Sequence, residues 1–334
     1  MVRYVVTRLL QLIPTLFGLS VLLFIWVRAL PGGPDTALLP ENATAADRER
    51  LRQDLGLNDP IWVQYAAFLA RLAQLDFGHT LRGRAVSTEL AERFPATIEL
   101  AFVAMLIAVV VGIPLGYLAA RNRGRFLDVS AVGGSLIGIC TPVFFLAFIL
   151  KEIFAVRLGW LPSSSRLTPG TSYTDITGLR VVDGIITGEF HVAWDAVVHL
   201  ILPALALASI PLAVVTRMTR ASVMETLGED FVRTAESKGL TARVIQFRHV
   251  LRNAMLPVVT AIGLLTGALL AGAVLTESVF AFGGIGSFLF QATQSRDYAA
   301  IMGTVLLIAT VFVVVNLVVD LLYTVLDPRV TVDR

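Results

Sequence analysis

The residues best placed to do chemistry in this chain are a few carboxylates set in otherwise apolar runs: Glu99, Glu277 and Asp320. An acid at the centre of a membrane-spanning helix costs about 2.5–3.5 kcal/mol. Each therefore reads either as part of a polar translocation path, binding a proton or an ion, or as one end of a structural hydrogen bond or ion pair. Glu99 and Glu277 fall near the ends of their apolar runs, and Asp320 follows Asn316 by four residues, on the same helix face. Nothing else gathers into a site. The histidines, His79, His191, His199 and His249, are scattered, and Cys140, the single cysteine, sits inside an apolar run. There is no disulfide framework and no Cys-rich metal site in such a pattern. The chain has no G-x-x-x-x-G-K-[ST] phosphate loop, no H-E-x-x-H and no G-x-S-x-G. It reads as non-catalytic, with no cofactor of its own, and a formal net charge of +2 gives no footprint for nucleic acid.

A second kind of chemistry, recognition by another protein, is suggested by "EDFVRTAESKGLTARVIQFRHVLRNAMLP" at 229–257. Asp230 is placed to cap a helix, "FVRTAESK" makes two turns, and Gly239 supplies the left-handed residue that ends it. Thr241 then caps a second helix. In it Val244, Phe247 and Leu251 form an apolar stripe, Arg243, Arg248 and Arg252 face elsewhere, and Pro257 marks its entry into an apolar run. A basic helix alone would be explained by anionic lipid headgroups. The helix–Gly–helix punctuation is better explained by a rigid docking handle.

The elements that must carry this handle are membrane spans. Apolar residues make up 56% of the chain and charged residues only 16%, against roughly 25% charged in soluble domains. Six stretches are long enough to cross about 30 Å of hydrocarbon: 8–28, 97–120, 129–155, 199–219, 256–279 and 300–326. The first exceeds a signal-peptide core and no small-x-small cleavage site follows, so it reads as a retained span. Basic residues are denser in 1–7, 121–128, 220–255 and 327–334, which places both termini and the charged segment in the cytoplasm. Glycines recur four apart at Gly112 and Gly116, at Gly134 and Gly138, and at Gly263 and Gly267, followed by Ala271. That spacing predicts close helix packing. In the outer segment, "TAADRERLRQDLGL" and "DPIWVQYAAFLARLAQLDFG" read as two helices. The second carries Trp62, Tyr65 and Phe68 on one face, which lies on the membrane, against a partner, or on this chain's own spans. The fold class is therefore an all-α polytopic membrane protein. It divides into a first span (1–28), a helical outer segment (29–96), a five-helix core (97–326) with a cytoplasmic loop at 220–255, and a tail (327–334).

The charged stretch resembles the cytoplasmic EAA loop of ABC importer permeases, in the variant of the dipeptide/oligopeptide/nickel group. "RTAESKG" occupies the place of the Glu-Ala-Ala-x-x-x-Gly core, with Arg233 and Thr234 replacing its Glu-Ala, and "RHVLRNAMLP" is similar to that group's continuation. "RYVVTRLLQLIPTLFGLSVLLFIWVRALPGGP", "LRQDLGLNDPIWVQYAAFL" and "NLVVDLLYTVLDPR" extend the likeness over nearly the whole chain, and match the B-type subunit of such systems. The resemblance implies a heterodimer with a homologous C-type permease, two ATP-binding subunits that hold ATP and Mg, an external substrate-binding protein and surrounding lipid. It also implies that Arg233, Thr234, Ala235, Glu236, Gly239, Arg248 and Pro257 couple the permease to an ATPase, the cargo being di- or oligopeptides. The competing readings are an ion-coupled carrier using Glu277 or Asp320, and an intramembrane hydrolase.

Overall fold

The computed structural model describes the backbone of residues 2–29, 44–54 and 56–326, with 2–9, 45, 48, 51, 54, 270–272 and 320–326 in backbone only. Residues 30–43 of the outer segment and the tail at 327–334 lie outside the described residues.

The chain is helical throughout its apolar runs. The elements are α1 (Val2–Ala29), α2 (Ala45–Asp54), α3 (Ile61–Ala73), α4 (Val86–Arg121), α5 (Phe126–Cys140) and α6 (Val143–Leu150), which continues as a π-helical turn over Lys151–Arg157. After a long irregular stretch come α7 (Arg180–Ile186), α8 (Phe190–Leu227), α9 (Asp230–Ser237) and α10 (Ala242–Val244). A second π-helical turn, Ile245–Leu251, leads into α11 (Arg252–Gly272), followed by α12 (Val274–Val279), α13 (Ile285–Ser295) and α14 (Tyr298–Leu326). Among the described residues, five helices are long and apolar enough to cross a membrane, or six if α5 and α6 count as one bent span. The all-α polytopic class read from the sequence stands.

Two of the spans are longer than their hydropathy suggests. α4 starts at Val86 rather than 97 and α8 runs from Phe190 to Leu227 rather than 199–219. At 1.5 Å per residue, helices of 36 and 38 residues are about 55 Å long. They therefore project beyond roughly 30 Å of hydrocarbon, and their polar turns go unnoticed by an apolar run. A third span departs further. Instead of one helix over 129–155, α5 and α6 meet at a bend of 104°. Pro142 has no N–H to continue the ladder and pushes the residue before it out of the α region. Thr141 is accordingly extended, with φ −83° and ψ 121°.

α4 and α8 pack along their lengths and form the centre of the bundle, with Leu100, Ala104, Ala108, Leu200, Ala204 and Leu207 buried between them. Glycine makes the approach possible. A Cβ on Gly112 would lie 3.0 Å from the Val215 side chain, and one on Gly116 would strike the carbonyl of Thr216. Gly116→Val is therefore expected to destabilise the detergent-solubilised protein by about 1–3 kcal/mol, read as a drop in melting temperature. An unchanged melting temperature would refute the close packing. Gly263 and Gly267 give α14 the same access through Val319 and Phe312.

The end of the bundle away from the charged segment is closed by irregular chain held on carboxylates. Arg166 Nη2 donates to Glu99 Oε2 at 2.6 Å, and the Val181 N–H donates to Glu99 Oε1 at 2.8 Å. Glu99 thus takes the structural role of the two open to it. Asp183, on α7, accepts from the N–H and hydroxyl of Thr177 and from the Gly178 N–H. Burial works against its charge, but these bonds outweigh it and hold the carboxyl below the usual carboxylate range. α3 lies against this chain's own first span: the Tyr65 hydroxyl pairs with Ser20 Oγ at 2.8 Å, and the rings of Tyr65, edge-on, and Phe68, tilted, pack on Phe24. Of the three-residue face, Trp62 alone stays open, 71% exposed.

Candidate functional site

The charged segment folds into two parts held at a fixed angle. Helix α9 begins one residue earlier than the sequence suggested: Glu229, not Asp230, is the N-cap, in extended conformation, and Asp230 opens the first turn. Its end is as read. Gly239 has φ +75°, its N–H donates to the Glu236 carbonyl at 2.9 Å, and the Leu240 N–H reaches back to the Ala235 carbonyl at 3.3 Å. These two bonds are the Schellman arrangement that a left-handed glycine permits.

The faces of α9 divide cleanly. Val232 and Ala235 are buried in a cluster with Ala120 of α4, Val223 of α8, and Ile245, Val250 and Ala254 of the returning helix. Arg233, Thr234 and Glu236 point outward with Ser237 and Lys238. Ala235 is thus the anchor of the handle, and its neighbours are the surface the handle presents. The Thr234 and Ser237 hydroxyls donate to carbonyls one turn back, at Asp230 and Arg233, which keeps the short helix closed. Arg233 lies 3.8 Å from Asp230, a fully solvated pair worth little.

The returning helix corrects one sequence expectation. The stripe of Val244, Phe247 and Leu251 is not its buried face: Val244 and Phe247 are exposed and Leu251 is half-buried, whereas Ile245 and Val250 are buried. The cause is the π-helical turn over Ile245–Leu251, whose i→i+5 bonding stacks residues five apart. Arg248, Arg252 and Pro257 are exposed, with Pro257 inside α11. Thr241 does cap the return, through its backbone alone.

Sequence reasoning missed the residues that tie this handle to α4 and, at the same end of the bundle, α8 to α5. The Tyr117 hydroxyl of α4 donates to Gln246 Oε1 at 2.8 Å, the Arg121 Nη1 reaches the same oxygen at 3.3 Å, and the Tyr117 and Phe247 rings pack 6.3 Å apart. Arg220 of α8 grips Asp128 of α5 with two nitrogens, Nε at 2.5 Å and Nη2 at 2.9 Å, and the Gly124 N–H donates to the same carboxylate. A tyrosine and an arginine at helix ends were the available signals, but their partners lie 129 and 92 residues away.

The carboxylates assigned to a path fare differently. Glu277 sits on α12, beyond the end of the fifth span, and is completely buried. Thr97 Oγ1 donates to it at 2.6 Å and the Ser287 N–H at 2.9 Å, while the Ile285 N–H donates to Thr97 Oγ1. Its carboxyl group therefore closes the N-terminus of α13, where unpaired N–H groups and the helix dipole favour an acid. A side chain so enclosed does not face an open path in this conformation. Asp320 belongs to α14, but its side chain lies outside the described residues. No group of three or more His, Cys, Asp or Glu that could hold a metal ion occurs among the described residues.

This arrangement defines a class: a helical, multi-pass membrane subunit that carries a short, exposed, rigidly held helix at one end. The chain belongs to the family described as "Binding-protein-dependent transport system inner membrane component", whose profile matches residues 112–332. A companion profile, "Binding-prot-dependent transport system membrane comp, N-term", matches residues 1–101. It is similar to the dipeptide transport system permease protein DppB of Escherichia coli, 44% identical over 99% of each chain, and to that of Alkalihalophilus pseudofirmus, 42% identical over 99% of each. The di/tripeptide transport system permease protein DppB of Pseudomonas aeruginosa is 42% identical over 100% of each chain. The protein is thus a non-catalytic permease subunit of an ABC import system, set in the inner membrane. Nothing in its relatives favours an ion-coupled carrier.

Proposed function

We propose that this chain forms half of the translocation path of an ATP-driven importer of di- and oligopeptides, as the B-type partner of a homologous C-type permease. The single observation that carries the cargo assignment is full-length similarity to three permeases named for dipeptides or di/tripeptides. Two ATP-binding subunits, holding ATP and Mg, dock on the exposed side of α9, and an external binding protein delivers the peptide to the opposite end. In this reading the charged end and both termini face the cytoplasm.

Arg233, Thr234 and Glu236 make the contact with the ATPase, while Ala235 and Gly239 fix the position and angle of α9. Arg248 and Pro257 complete the return to the membrane. Four features support a handle: its outer side chains make few bonds within the chain, its inner ones are buried, its corner is a left-handed glycine, and Tyr117 and Arg121 tie its return to α4. Closure of the ATPases on ATP then moves α4 and α8 together with α9, because all three share one buried cluster.

Purification of the tagged chain in mild detergent tests the assembly. A second permease and P-loop ATPases are expected in the complex, and after reconstitution dialanine uptake is expected to need ATP and the binding protein. A chain that purifies alone, with uptake that survives ATP depletion and collapses with an uncoupler, would overturn the reading.

A further inference from the structure

The returning helix has two apolar sides, and the fold of the chain buries only one. Ile245 and Val250 are packed into the cluster with α4, α8 and α9. Val244 and Phe247 lie on the other side, 39% and 57% exposed, and Arg243, Arg248 and Arg252, interleaved with them, are exposed too. The link from α4 to α5 repeats the combination. Arg121, Arg123 and Arg125 are exposed, and Phe126, which follows them, is 88% exposed. The two stretches are joined, because Arg121 donates to Gln246. None of these six arginines forms an ion pair among the described residues. The sequence has no Asp or Glu between Glu236 and Glu277, and Asp128, the acid nearest to Arg125 in the sequence, is held by Arg220 and the Gly124 N–H.

The depth of this surface selects what covers it. The Phe247 ring packs on Tyr117, and Gln246 takes the Tyr117 hydroxyl. Tyr117 lies four residues inside Arg121, the last residue of α4, so about 6 Å short of the helix end. Phe247 therefore stands beside the last apolar turn of a span, and the arginines stand at that span's end. A bilayer offers an apolar phase and a layer of phosphates at those two levels, which is where a helix with phenylalanine on one side and arginine on the other settles. An ATP-binding subunit approaches from water and meets α9, whose outward side is polar and carries both signs of charge, Glu236 beside Arg233 and Lys238. We propose that the returning helix and the α4–α5 link form a binding surface for anionic phospholipid, with Val244, Phe247 and Phe126 at the acyl boundary and the arginines on headgroup phosphates. The charged segment is then shared between two partners: α9 faces the ATPase, and the return holds the membrane against which α9 works.

The test uses the full complex in phosphatidylcholine nanodiscs, with a small fluorophore on Phe247→Cys in a Cys140→Ser background. Nitroxide-labelled phosphatidylglycerol is expected to quench it at a mole fraction at least about fivefold lower than nitroxide-labelled phosphatidylcholine does, while acrylamide, a quencher confined to water, has little effect. Adding Arg243→Gln and Arg252→Gln should narrow the difference between the two lipids, with the ATP-binding subunits still co-purifying. Quenching by acrylamide instead of lipid would overturn the proposal by placing the helix in water. Quenching by neither lipid nor acrylamide would overturn it by placing a protein subunit there. Equal quenching by both lipids would leave acyl contact without a headgroup site and would also overturn it. This last comparison needs no arginine variant and stands even if the double substitution fails to assemble.

Discussion

Gly239→Pro is expected to reduce ATP-driven uptake to background while the chain still inserts in the membrane at its normal level. Proline fixes φ near −65°, whereas Gly239 needs +75°. It also removes the N–H that bonds to the Glu236 carbonyl. The corner cannot form, so α9 leaves the angle at which it meets its partner, although the spans on either side remain intact. Gly239→Ala separates geometry from bulk. Nothing lies within 4 Å of a Cβ at this position, so alanine meets only the backbone cost of the left-handed conformation, about 1–2 kcal/mol, and should leave partial uptake. Glu236→Arg carries the complementary information. Glu236 is exposed and its side chain makes no hydrogen bond or ion pair among the described residues. Reversing its charge therefore has little to damage in the fold, and its expected loss of uptake reports on the docked ATPase. The measurements are transport in inverted or reconstituted vesicles and the amount of chain in the membrane. Normal uptake at normal expression in both Gly239→Pro and Glu236→Arg would sink the coupling assignment.

What the chain declares locally was legible, and what it declares through distant partners was not. The apolar runs, the cap–helix–glycine order of 229–239 and the close packing at Gly112, Gly116, Gly138, Gly263 and Gly267 are all short-range signals with counterparts in the structure, whereas Gly134, read the same way, packs on nothing. Pro142 was visible, but hydropathy averages over a proline and returned one span where the backbone turns through 104°. The apolar stripe of the returning helix was drawn at the α-helical period, and a π-helical turn shifted the buried face to Ile245 and Val250. Which glycines meet a neighbouring helix could not be read at all. Gly134 and Gly138 look alike in the sequence, yet Gly138 packs on the Ser209 carbonyl and Gly134 packs on nothing. For Glu277 the deciding partner, Thr97, is 180 residues away. A buried acid signals only that something must satisfy it, and whether that is a passing proton or a helix terminus depends on chain brought together by the fold.

That distinction for Glu277 is measurable, and Glu277→Ala is expected to destabilise the purified protein by roughly 3 kcal/mol or more. It removes two hydrogen bonds to a buried acid, each worth about 1.5–3 kcal/mol. It also leaves the Thr97 hydroxyl short of its acceptor and the Ser287 N–H unpaired at the start of α13. Thr97 joins α4 to this helix, accepting from Ile285 while donating to Glu277, so the loss spreads to the packing of the whole far end. Glu152→Ala is the control: its pairing with Arg157 is solvent-exposed, and such pairs contribute about 1 kcal/mol or less. Gly284→Ala approaches the same contact from the other side, since a Cβ there would stand 2.5 Å from the Glu277 carboxyl group. Thermal unfolding in detergent should therefore rank Glu277→Ala and Gly284→Ala well below Glu152→Ala. A Glu277→Ala protein as stable as the unaltered chain would remove the helix-closing role. A carrier would show the opposite pattern, an intact fold with lost proton dependence. If Glu277 instead holds α12 and α13 together, the loss of stability comes first and any surviving uptake keeps its need for ATP.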